Sequence, residues 1–128
     1  MPTWTVAAEF TFDSAHYLEG YDGSCGAMHG HTYRVRIEAE SDDLRPSAFG
    51  AGPAFVCDFR TLRWAATDAA NGGLDHCVLN DVLPPGVVPT AEMIAKYLCD
   101  ETHRRVPEGL RLRVKVWETP TTWAEYRE

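Results

Sequence analysis

The sequence predicts an α+β fold, a four-stranded antiparallel sheet with two helices on one face in the order β-β-α-α-β-β. Three observations carry this. Two segments near the start and one near the end alternate apolar and polar residues with period two, as half-buried strands do. Two central segments repeat apolar residues at helical spacing, each behind an N-cap residue. The strands flank the pair of helices instead of alternating with them, which favours an antiparallel sheet over a parallel one.

Each element follows in order. Over residues 3–13, Trp4, Val6, Ala8, Phe10 and Phe12 share one face. Thr3, Thr5, Ala7, Glu9, Thr11 and Asp13 share the other. Residues 14–28 carry Gly20, Gly23 and Gly26 and read as a loop. Residues 31–39 alternate again, with His31, Tyr33, Val35, Ile37 and Ala39 on one side. Residues 41–54 read as an irregular connection, with a short strand at 55–57. Asp58 caps a helix over 59–71, carried by Phe59, Leu62, Ala66 and Ala69 and stopped by Gly72 and Gly73. The run from Leu74 to Pro89 reads as a loop. Thr90 caps a second helix over 91–105, with Glu92 in its first turn, where the helix dipole favours an anion. Leu110, Leu112, Val114 and Val116 alternate with Arg111, Arg113, Lys115 and Trp117 in a third strand. Residues 121–126 supply a short fourth. The open edges of such a sheet predict oligomerisation through strand pairing.

Composition narrows the function. A chain of 128 residues predicts one domain over 1–128 with a core of its own. Twelve Lys and Arg against nineteen Asp and Glu give a net charge of −7. That argues against general nucleic-acid binding, which needs clustered cations. No apolar run approaches a membrane span, and the N-terminus lacks a secretory pattern, so a cytoplasmic protein is expected. Four cysteines without a CxxC pair fit free thiols in a reducing compartment.

The densest chemical signal is Cys25-x-x-x-His29-Gly-His31. In a strand starting at His29, both imidazoles leave the same face and can share a metal ion. His16 follows the first strand, which pairs with the second, and is the natural third ligand. Three histidines with an open position describe a catalytic zinc site. Cys25 as a fourth ligand, closing the site, is the alternative. Asp75 next to His76 can orient the imidazole if the backbone lets the two side chains meet. Glu118 ends an apolar strand. His103, in the last helical turn, and the basic row Arg111, Arg113 and Lys115 read as solvated surface.

Further motifs join these in order. Phe10 to His16, Cys25 to His31, Phe55 to Phe59, Leu74-Asp75-His76 with Leu79-Asn80-Asp81, Pro89-Thr90-Ala91-Glu92, and Glu118-Thr119 follow one another along nearly the whole chain. Together they resemble the 6-pyruvoyl-tetrahydropterin synthase/6-carboxytetrahydropterin synthase superfamily, and most of all its bacterial 6-carboxytetrahydropterin synthases. The resemblance implies the tunnelling fold, with sheets from three subunits closing a barrel, two trimers stacking into a homohexamer, and active sites between subunits. It implies Zn²⁺ on His16, His29 and His31, catalysis by Cys25, Asp75 and His76, and substrate contacts from Glu118, Thr90 and Ala91. The implied reaction converts 7,8-dihydroneopterin triphosphate to 6-carboxy-5,6,7,8-tetrahydropterin, acetaldehyde and triphosphate, in 7-deazapurine (queuosine-type) biosynthesis. The alternatives are a 6-pyruvoyl product from the same site, or a non-catalytic module holding structural zinc or a pterin. Two departures stand out. Val88 sits where relatives often carry Asn, and residues 41–54 match no family pattern.

Overall fold

The computed structural model describes residues 2–46, 50 and 52–128. Its main sheet has the order β1-β2-β5-β6, all neighbours antiparallel, from β1 (Trp4–His16), β2 (His29–Ser41), β5 (Arg111–Thr119) and β6 (Thr122–Arg127). Two long helices, α1 (Phe59–Asn71) and α3 (Ala91–His103), cover one face. The expected α+β architecture is therefore present.

The period-two patterns set the core. Tyr33, Val35, Ile37 and Ala39 of β2, and Leu112, Val114 and Val116 of β5, point under the helices and are buried. Phe12 pairs with Tyr33 across β1 and β2, and their rings stack at 5.0 Å. Helix α1 packs on β1 and β2 through Leu62 and small Ala65, Ala66, Ala69 and Ala70, which let it approach the sheet closely. Helix α3 packs on β5 and β6 through Ile94, Ala95, Leu98 and Cys99. Both predicted N-caps form: Asp58 accepts from the Arg60 amide at 2.7 Å, and the Thr90 hydroxyl from the Met93 amide at 3.3 Å.

The opposite sheet face is charged and solvated. Arg111 pairs with Glu40 and Asp42 at 2.8 and 2.7 Å, and Arg36 with Glu38 at 2.9 Å. Lys115 lies 4.0 Å over the Trp123 ring, and Arg34 3.8 Å over Trp117. The basic row is thus a solvent face, as read. His103 is also exposed, 2.9 Å from Glu128.

Several expectations need correction. Strand β1 runs three residues past 13 and ends on His16, and β2 starts at His29. Trp4 belongs to the inward set by alternation yet is 42% exposed; of that set Ala8 and Phe12 are the buried members, at 7% and 2%. The 41–54 connection contains a small hairpin, β3 (Arg45–Pro46) with β4 (Pro53–Phe55); residues 47–49 and 51 lie outside the described residues. The short strand therefore precedes Val56 and Cys57, which are bends and buried. The 74–89 loop contains one helical turn, α2 (Leu79–Val82), formed because Leu79 is drawn into the core. Helix α3 stops at His103, two residues early, where Arg104 caps it.

Candidate metal centre and active site

The β1–β2 register builds the centre. His16, the last residue of β1, lies directly opposite His29, the first of β2, and strand alternation puts His31 on the same face. The three imidazoles stand edge to face, with ring centroids 4.6, 5.1 and 4.8 Å apart. His16 is 1% exposed.

The hydrogen bonds reveal what these rings are arranged to do. His16 Nδ1 is 2.7 Å from the Pro89 carbonyl, and His29 Nδ1 is 2.6 Å from the Ala27 carbonyl. A carbonyl oxygen can only accept, so both Nδ1 atoms carry hydrogen and donate. Both Nε2 atoms of the neutral rings therefore present lone pairs, and these face each other at 3.0 Å. Two lone pairs at that distance repel unless a proton or a cation lies between them. His31 Nε2 is buried with no hydrogen-bond partner, although Glu118 Oε1 approaches to 3.2 Å without the alignment of a hydrogen bond. Burial above all, with His16 and His29 adding to it and Glu118 opposing, holds the His31 pKa below its ordinary range. A neutral imidazole is the ligand form. Ligand atoms of His16, His29, His31 and Glu118 all lie within 4.8 Å of one another. This set fits a divalent metal ion, and the two carbonyls are the outer partners that orient ligating histidines. The Cys25 thiol is not part of the set. It sits half-buried in a single 3₁₀ turn, Ser24–Gly26, in the loop between β1 and β2.

A second group forms beside the first. Adjacent residues in extended backbone point apart, but His76 adopts φ 56°, a left-handed conformation. Its Nδ1 thereby reaches Asp75 Oδ2 at 2.8 Å. Strand β1 clasps this turn. The Asp13 amide donates to Asp75 Oδ1 at 2.9 Å, and the Asp13 carbonyl accepts from the His76 amide at 2.6 Å. The Ser14 hydroxyl bonds the Leu74 and Cys77 carbonyls at 2.6 and 2.8 Å. First the Asp13 amide and then His76 pull the Asp75 carboxyl below its usual range, and Asp75 raises His76. A cleft of about 700 Å³ has His31, Thr32, Asp13 and His76 among its walls.

Glu118 joins the histidines to a second cleft, of about 540 Å³, shared with Ala91, Thr122 and Trp123. Ala91 is thus placed beside Glu118. Thr90 does not line this cleft, and its hydroxyl serves the cap of α3. Sequence reasoning missed the orienting Pro89 and Ala27 carbonyls and the clasp by Asp13 and Ser14. It also missed the role of Asn80, whose side chain holds the Tyr17 main chain on both sides at 3.0 and 2.9 Å. Asn80 carried a signal, as part of the Leu79-Asn80-Asp81 motif.

Comparison with known proteins shows the family and the fold. Residues 5–128 match the family model described as 6-pyruvoyl tetrahydropterin synthase. A curated relative from Haemophilus influenzae, named 6-carboxy-5,6,7,8-tetrahydropterin synthase, is 34% identical over 96% of this chain and 98% of its own. One of the same name from Synechocystis is 36% identical over 96% and 92%. The solved Caenorhabditis elegans 6-pyruvoyl tetrahydropterin synthase is 23% identical and superposes with a TM-score of 0.81 over 100% of this chain and 97% of its own, so the fold is shared. By its match along nearly the whole sequence, this chain belongs to the 6-pyruvoyl tetrahydropterin synthase family.

Proposed function

We propose that the protein is a zinc-dependent carbon–carbon lyase that converts 7,8-dihydroneopterin triphosphate and water to 6-carboxy-5,6,7,8-tetrahydropterin, acetaldehyde and triphosphate. The observation that carries this is the convergence of three histidine nitrogens beside an Asp75–His76 pair. The names of the Haemophilus and Synechocystis relatives support the carboxy product. On this reading the chain is a single cytoplasmic domain serving 7-deazapurine synthesis, and it works as a hexamer of two stacked trimers.

His16, His29 and His31 would hold the zinc, with the first two fixed in tautomer by their carbonyl partners. Zinc, when bound, supplies Lewis acidity toward the hydroxyls of the substrate side chain. Cys25 takes a proton from the side-chain carbon. His76 keeps the hydrogen on Nδ1 toward Asp75, which leaves Nε2 for proton exchange. Glu118, on the wall of the 540 Å³ cleft and 3.2 Å from His31, accepts hydrogen bonds from the amino and ring N–H groups of the pterin. Thr90 and Ala91 place the start of α3 along that cleft.

The test is product identification by mass spectrometry after incubating metal-replete protein with 7,8-dihydroneopterin triphosphate. Acetaldehyde with 6-carboxytetrahydropterin is the expected result. A 6-pyruvoyl product would move the chain to the neighbouring activity. No product from folded, metal-loaded protein would overturn the proposal.

A further inference from the structure

Asp13 is unclaimed by the chemistry above, yet it is the residue on which the Asp75–His76 turn is built. Its main chain binds both members of the pair, one through N–H and the other through C=O. Its side chain is separately fixed, because the Thr32 hydroxyl of β2 donates to Asp13 Oδ1 at 2.5 Å. A carboxylate oxygen of Asp13, one of Asp75 and a ring nitrogen of His76 lie within 4.8 Å of one another. A solvated surface aspartate would have no reason to be pinned at that point.

We infer that Asp13 is a positioning residue for His76, a second carboxylate that Thr32 holds against the imidazole at the mouth of the cleft. The inference rests on His76 being the proton-transfer group of the proposed reaction. The groups facing His76 can be named. Asp75 comes from its own turn and Asp13 from β1, while β2 contributes the uncharged Thr32 and His31 on the shared cleft wall. The Cys77 thiol turns away, toward the Gly73 and Leu74 carbonyls at 3.3 and 3.1 Å. Two carboxylates against one imidazole favour its protonated form, and Asp75 contributes more than Asp13.

Asp13→Asn separates the carboxylate from the clasp, because the main-chain bonds to Asp75 and His76 remain. The readout is the NMR titration of the His76 ring in metal-loaded protein, its signal identified by loss in His76→Gln. In Asp13→Asn the midpoint should move to lower pH, and Asp13→Glu should restore it toward wild type. Thr32→Val, which frees the carboxylate without altering Asp13, should shift the midpoint the same way by less, and it serves if Asp13→Asn does not fold. The limb of the pH–rate profile set by His76 should move with the midpoint, and kcat/KM should fall about tenfold at neutral pH. An unchanged His76 midpoint in Asp13→Asn would overturn the inference, whatever happens to activity. The titration needs no substrate, so absent turnover in the wild type would count against the proposed reaction alone.

Discussion

Two groups of ligating side chains lie at the same end of the sheet, and they are built in opposite ways. His16, His29, His31 and Glu118 are buried or half-buried, and their free nitrogens face one another without a shared hydrogen bond. Asp13 and His76 are exposed with Asp75 half-buried between them, and here nearly every polar contact is satisfied by an opposite charge or a main-chain partner. The first arrangement is costly unless a cation fills it. The second is closed by its own contacts, from His76 Nδ1 to Asp75 and from the Asp13 main chain to both residues. On the proposed reading, one site binds a metal and the other holds and moves a proton. The 700 Å³ cleft has His31 of the first group and Asp13 and His76 of the second on its walls.

Breaking the buried group should have the largest effect. His29→Ala removes a ligand, and turnover should fall by more than about a hundredfold, beyond the loss usual for an outer partner of a metal ligand. Steady-state kinetics with metal in excess would check this; wild-type activity would show that the cluster is not the centre. A smaller loss, about tenfold to a hundredfold, is expected for Asp75→Asn, with metal content unchanged, because only the orientation and charge of His76 are disturbed. If metal content also fell, the two groups would not be separable.

The exposed pair also has a pH signature. The His76 pKa is raised above its ordinary 6.5, so its stabilising contribution is complete below 6.5 and is lost as pH rises through the raised value. The Asp75 pKa is lowered below 3.8, so its contribution is complete above 3.8 and is lost as pH falls through the lowered value. The difference in Tm between wild type and His76→Gln, measured on metal-free protein, should therefore be greatest between pH 3.8 and 6.5 and shrink on either side. A difference that keeps growing above that window would contradict the pairing. The smallest effect belongs to the solvated sheet face. Arg36→Ala loses contacts to Glu38 and Glu9 that water already screens, and chemical denaturation should register less than about 1 kcal/mol.

What could be read in advance follows the same division. Alternation placed Tyr33, Val35, Ile37 and Ala39 in the core, and the HxH spacing on an adjacent strand brought His29 and His31 to His16. Those are local patterns that a strand's period of two converts directly into geometry. The contacts that tune the site are not local. The Pro89 carbonyl reaches His16 across 73 residues, and the approach of Glu118 to His31 depends on the register of β5 against β2. The Asp75–His76 contact hangs on one positive φ at a residue that is not glycine, a conformation that few non-glycine residues adopt. The clasp by Asp13 and Ser14 was hidden for a different reason. Alternation put Asp13 on a solvent face, where a carboxylate needs no explanation. The turn of α2 was concealed by the prolines and glycine that follow it, which mark a loop correctly but say nothing of Leu79 being pulled inward.

The central claim is that nitrogen lone pairs from His16, His29 and His31 converge to bind one divalent ion. Native mass spectrometry of the zinc-supplemented protein tests it most directly. The wild type and Cys25→Ala should each carry about one zinc per chain, and His29→Ala should carry essentially none. Zinc retained by His29→Ala, or lost with Cys25→Ala, would contradict the histidine site as the structure assembles it.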